Sequence, residues 1–159
     1  MPIQETSFAP KSYLTLRRAI AISQVSDHQM YDDAGKKLGA YMQKHGLHPS
    51  GPWTVLYFLW DVPTQRAELG IAFPIDGLTA VDDAELTVVA VPQCKAATDA
   101  LHGPYEGLGD VHRSLVQYMA DKGYSRGDRA VQAVEEYVVD PMREPNPANW
   151  VTQIYYLHD

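Results

Sequence analysis

The chain has 159 residues, 45% apolar and 21% charged, which suits one domain with a hydrophobic core and excludes a disordered or fibrous protein. Its formal charge of −7 argues against a nucleic-acid-binding surface, which needs clustered Lys and Arg. A single cysteine, Cys94, excludes an internal disulfide, no apolar run reaches the length of a membrane span, and the first five residues have no basic stretch leading into an apolar one. The expectation is a cytoplasmic protein. In chain order, Pro10 introduces a strand over residues 13–16, and an amphipathic helix follows. The helix has Met30, Ala34, Leu38, Tyr41 and Met42 on one stripe, Ser26 or Asp27 as its cap and Gly46 as its stop. Residues 53–60 and 68–73 read as strands, and an acidic turn near 76–85 reads as a linker. Pro92 then introduces a strand over 95–98. A second helix carries Leu108, Val111, His112, Leu115 and Met119 up to Gly123. Strands at 131–139 and 150–157 close the chain around a proline-rich loop at 140–149, which is too long for a tight hairpin.

The order β-α-β-β therefore occurs twice, in a single domain over 1–159 with one repeat at about 1–76 and the other at about 84–159. The helices repeat in register: Leu38, Tyr41, Met42 and Gly46 match Leu115, Tyr118, Met119 and Gly123 at one offset of 77 residues. Applied to the strands, that offset sets Phe58 against Glu135 and Trp60 against Tyr137. If equivalent positions line one cleft, two aromatics face a carboxylate and a phenol. A carboxylate among rings is partly desolvated, which suits it to a lipophilic cation, with cation–π attraction from the rings, or to general base work. The aromatic set, 10 Tyr and 3 Trp against 3 Phe, favours pocket walls over a dry core. Strand alternation sends Glu135 and Glu136 to opposite faces.

The stretch Leu101-His102-Gly103-Pro104-Tyr105-Glu106-Gly107-Leu108 resembles the H-x-G-P-Y-x-x-L opening of the second helix in gyrase-inhibitor-like (GyrI-like) domains. Residues 135–141, Glu-Glu-Tyr-Val-Val-Asp-Pro, resemble that family's E-x-Y-x-x-D-P strand and turn. Trp60-Asp61-Val62-Pro63 and Val151-Thr152-Gln153-Ile154-Tyr155 are similar to its first-half turn and last strand. The family includes effector-binding domains of AraC- and MerR-type multidrug regulators, and is a duplication of the SHS2 module. The resemblance implies an α+β fold in which two βαββ units form a curved antiparallel sheet, with two helices on one face and a ligand cleft on the other. It also implies that Glu135 lies at the floor of that cleft with Tyr137 beside it. The chain has no room for a helix-turn-helix beside this domain, so DNA binding is not carried over.

The leading expectation is a stand-alone module that senses or sequesters small lipophilic, favourably cationic, molecules. Its ligand-binding set is Glu135, Tyr137, Trp60 and Phe58, with Tyr105, Tyr155 and His102 on the wall. By analogy with free-standing relatives, the alternative is a hydrolase that opens cyclopropanoid electrophiles, with Glu135 and Tyr137 as catalytic residues. A further alternative is a protein-interaction module such as a gyrase inhibitor. No cofactor, metal or membrane is expected. His45 and His48 have workable metal-ligand spacing but no clear third ligand, and Cys94 has no partner base.

Overall fold

A computed structural model describes residues 3–125 and 127–159. The chain divides into two units: a first, Pro10–Pro92, and a second made of Gln93–Asp159 with the segment up to Ala9. Each is a four-stranded antiparallel sheet with one main helix, so the chain is α+β.

In the first unit, β2 (Lys11–Ala21) lies between β4 (Arg66–Pro74) and β5 (Thr87–Val91), and β3 (Thr54–Asp61) pairs with the far side of β4. Helix α1 (His28–His45) covers one face. The spacing of its apolar residues buries Ala34, Leu38, Tyr41 and Met42 against Leu14, Leu16 and Ile71 of the sheet. Asp27 is the cap: its carboxylate accepts the Gln29 N–H at 3.0 Å, satisfying a donor that the first helical turn leaves open. Asp27→Ala is expected to cost about 1 kcal/mol, read from chemical denaturation midpoints. Gly46 ends the helix at φ 65°, and Gly123 ends its counterpart at φ 68°, a left-handed conformation that glycine adopts without strain.

In the second unit, β6 (Cys94–His102) lies between β1 (Gln4–Phe8) and β8 (Val151–His158), and β7 (Ala133–Val139) pairs with β8. Helix α2 (Leu108–Lys122) follows a 3-10 turn at Tyr105–Gly107 and seats Leu115 on Ala97 and Ile154. No helix among the described residues is long and apolar enough to cross a membrane.

Two features differ from the sequence reading. The leading strands β1 and β5 join the other copy's sheet, so the chain passes between units at Ala9/Pro10 and at Pro92/Gln93 and not within the acidic turn at 76–85. Strand β1 is held there by Phe8, whose ring meets Tyr155 edge-on at 5.2 Å, and by Glu5. The Glu5 carboxylate accepts Tyr118 Oη at 2.6 Å and lies 3.1 Å from His158 Nε2. Second, the offset of 77 residues holds for the helices alone. Tyr57 and Tyr137, each directly before a bulge, stand 80 apart, and their β4 and β8 partners Leu69 and Thr152 stand 83 apart. Different connection lengths in the two copies produce the drift, so Val55, and not Phe58, is the counterpart of Glu135.

Candidate functional site

Pairing registers assign each side chain to a face, because directly paired antiparallel residues project to the same side. In the second unit, Ala97, Ile154 and Leu115 pack together, so the face carrying Ile154 is the α2 face. Glu135 pairs with Ile154, Tyr137 with Thr152 and Ala133 with Tyr156, which puts Glu135 and Tyr137 under α2. Glu136 pairs with Gln153, and Val134 and Thr98 both pair with Tyr155, on the helix-free face. The two adjacent glutamates are both buried, Glu135 at 2% exposure and Glu136 at 8%.

Glu135 is enclosed by a network. Its Oε2 is hydrogen bonded to His112 Nε2, and its Oε1 accepts Tyr137 Oη at 2.7 Å. The other imidazole nitrogen, His112 Nδ1, lies 2.7 Å from Tyr156 Oη. A neutral imidazole satisfies every partner when Tyr156 donates to Nδ1 and Nε2–H donates to the carboxylate. Burial, and then the Glu135 charge, raise the Tyr156 phenol well above its ordinary range, which keeps it a donor. Tyr105 stands edge-on to Tyr137 at 5.6 Å and stacks on Trp150 at 4.9 Å. Its own phenol is pushed up to about 12 by burial and then by the charges of Asp140 and Glu135. Both Glu135 oxygens are thus engaged within the protein, on the side opposite to the one expected of a cleft carboxylate.

The helix-free face is arranged differently. Tyr155 is hydrogen bonded to Glu136, and burial followed by the Glu136 charge and that bond lifts its phenol to about 12. Phe8, 3% exposed, backs the Tyr155 ring. Gln153 donates to Thr98 Oγ1 at 2.6 Å, and Thr98 donates on to the Ile154 carbonyl at 2.7 Å. A buried carboxylate, a phenol, an amide and a hydroxyl therefore share a face with the phenyl ring of Phe8.

Of the sequence-chosen residues, Glu135, Tyr137 and Tyr105 come together, but under α2. Tyr155 belongs to the Glu136 face. His102 lies exposed at the end of β6, and the turn there is tied by the Gly103 N–H to the Trp150 carbonyl at 2.9 Å. Phe58 and Trp60 do not share a face, because a bulge at Phe58 breaks the alternation. Leu59 pairs with Glu68 and Trp60 with Ala67, so Trp60 turns to the α1 side beside Tyr57 and is 41% exposed. Phe58 stays on the helix-free side, against Gly70 and Thr15.

Sequence reasoning placed His112 only in the helical stripe and did not select Trp150. The available signal for His112 was a lone titratable residue in an otherwise apolar stripe. Among the described residues no three His, Cys, Asp or Glu side chains converge as metal ligands. An open groove of about 490 Å³ beside β5, lined by Pro10, Lys11, Ser12, Asp76 and Val91, contains neither an aromatic ring nor a buried carboxylate, so its chemistry does not suit a lipophilic cation.

Residues 13–158 match the family model of the GyrI-like small molecule binding domain. No curated protein matches the sequence significantly. Among solved structures, the EcmrR C-terminal domain superposes with a TM-score of 0.80 at 18% identity, over 100% of this chain and 99% of that one. The match to the EcmrR chain of a DNA complex covers 99% of this chain but only 57% of that one, at TM-score 0.81 and 17% identity. SAV2435 bound to tetraphenylphosphonium superposes with a TM-score of 0.72 at 12% identity, over 100% of this chain and 94% of that one. A hydrolase from Listeria innocua does so with a TM-score of 0.62 at 15% identity, over 99% and 91%. At these identities the superpositions speak for the fold alone.

Proposed function

The chain belongs to the family of GyrI-like small-molecule-binding domains, and we propose that it holds a small lipophilic molecule, preferentially a cation, against Glu136 on the helix-free face of its second unit. The observation that carries this reading is the direction of the two glutamates on β7. The resemblance implies a ligand cleft opposite the helices, and Glu136 is the carboxylate that β7 turns to that side. A carboxylate at 8% exposure favours an arriving positive charge, because little water is left to solvate it. Tyr155 supplies ring surface together with a hydroxyl that orients the carboxylate, and Phe8 holds that ring in place. Gln153 and Thr98 offer neutral polar contacts that fix orientation. That a similar structure carries tetraphenylphosphonium agrees with this ligand class.

The experiment is a titration by calorimetry with tetraphenylphosphonium and with neutral triphenylphosphine oxide. Glu136→Gln keeps the shape of the side chain and removes its charge. It is expected to weaken the cation by about 10- to 100-fold, the equivalent of roughly 1.4–2.8 kcal/mol, and the neutral compound by about 2-fold or less. Equal losses for both compounds would sink the proposal, as would an unchanged cation affinity.

Hydrolysis with Glu135 as general base is disfavoured by geometry. A base must reach the proton of an attacking water, and the two oxygens of Glu135 are taken by His112 and Tyr137 at 2% exposure.

A further inference from the structure

The first unit contains a cation already stacked on an aromatic ring, and it comes from the protein itself. The guanidinium carbon of Arg17 sits 3.8 Å from the centre of the Phe58 ring. Its NH2 group also lies 3.3 Å from Glu68 Oε1. Registers confirm that these groups share one side of the sheet: Arg17 pairs with Gly70, Ala19 pairs with Glu68, and Phe58 lies against Gly70. The seat is built to hold the ring. A methyl group on Gly70 would come within 2.9 Å of Phe58 Cε2, so the absence of a side chain there is what lets the ring lie on the backbone. Phe58 is only 9% exposed, whereas the Arg17 and Glu68 side chains are 47% and 43% exposed. The buried ring is thus covered by a side chain that can itself move away into water. A long, exposed arginine held by one ring and one partly exposed carboxylate is weakly tethered, since such ion pairs contribute little.

We infer that Phe58 and Glu68 form a second cation-binding site, for planar aromatic cations, which Arg17 occupies as an internal competitor. Arg17 shows the chemistry that the site accepts: a flat, delocalised, weakly hydrated cation over the ring face with a carboxylate at its edge. An external cation that binds here must displace the guanidinium, so Arg17 sets the threshold affinity of the site. All its residues belong to the first unit, and the inference stands independently of the role given to Glu136.

The test uses ethidium as the probe, with fluorescence titration of the full chain in a Glu136→Gln background that weakens the other site. Arg17→Ala is expected to tighten ethidium binding by about 10-fold, the reverse of what removing a ligand contact does. Adding Phe58→Leu should abolish the gain, and so should adding Glu68→Gln, an exposed change that leaves the buried packing intact. No gain on Arg17→Ala overturns the inference, as does a gain that survives Glu68→Gln. If Glu136 plays no part in binding, that appears separately, as identical ethidium affinity of the parent and Glu136→Gln chains.

Discussion

Replacing His112 with alanine is expected to be among the most damaging single changes in the chain, although the residue sits on a helix at 20% side-chain exposure. A buried carboxylate and a half-buried phenol lose their partner at once. Glu135 Oε2 loses its donor, and the Tyr156 hydroxyl loses its acceptor. Leaving a buried carboxylate without a donor costs about 1–3 kcal/mol, and more when the group is charged, and the Tyr156 hydroxyl adds its own lost bond. Water can enter through the exposed edge of the vacated imidazole, which sets the expectation at about 3 kcal/mol. Urea denaturation should show a lower midpoint with an unchanged slope. Glu135→Gln is expected to cost about 1 kcal/mol, since the amide keeps a neutral acceptor for Nε2–H while the charge disappears. The double variant should be more stable than the two losses added together, because the glutamine no longer strands a charge. Strict additivity would mean that His112 and Glu135 act separately, and the network would then be no unit.

Tetraphenylphosphonium affinity separates the two glutamates by a different readout. Glu135→Gln should move stability and leave the preference for the cation over its neutral analogue intact, while Glu136→Gln should do the reverse. This division of labour was only half legible in the sequence. Alternation along residues 133–139 shows that adjacent glutamates point apart, but it cannot say which one faces the helix. Strand β7 is buried on both faces, with Ala133 and Tyr137 on one and Val134 on the other, so there is no polar side to mark the outside. Only the pairing of Glu135 with Ile154, which rests under Leu115, decides the question.

The helices were readable for the opposite reason. Their stripes carry strong contrast, and Asp27, Gly46 and Gly123 punctuate their ends with residues whose local chemistry needs no tertiary context. The two leading strands went unread because they are edges. Four of the five residues of β1 are exposed and only Phe8 is buried, which leaves no period to detect. Their exchange between units depends on pairing, and pairing leaves no trace in a single strand's composition. The opposition of Phe58 and Trp60 to Glu135 and Tyr137 failed on local geometry. One extra residue at the bulge reverses every side chain beyond it, so Trp60 leaves the face that a strict period of two assigns to it.

Gly70→Ala is expected to destabilise the first unit by about 3 kcal/mol, the upper end for overpacking, although its backbone is ordinary and alanine is normally neutral or favourable in such a conformation. The reason lies in what surrounds the missing methyl. An added Cβ would approach Thr15 Cγ2 at 2.6 Å and Phe58 Cε2 at 2.9 Å, both closer than carbon atoms tolerate. Thr15 has little freedom to yield. It is 0% exposed, and its Oγ1 donates to the Tyr13 carbonyl at 3.1 Å, so turning the methyl aside breaks a buried hydrogen bond. Phe58 must shift away from Gly70 to yield, which disturbs the seat of the guanidinium 3.8 Å from its ring centre. Thr15→Ser removes the nearer obstacle and keeps the hydroxyl. The double variant should therefore be about 1 kcal/mol more stable than the sum of the single losses predicts, by thermal or chemical denaturation. If instead the two losses simply add, the strain resides at Phe58 alone. The ethidium experiment then has a sharper form: Gly70→Ala should displace Arg17 by moving the ring beneath it and alter binding at Phe58 without touching either charged residue.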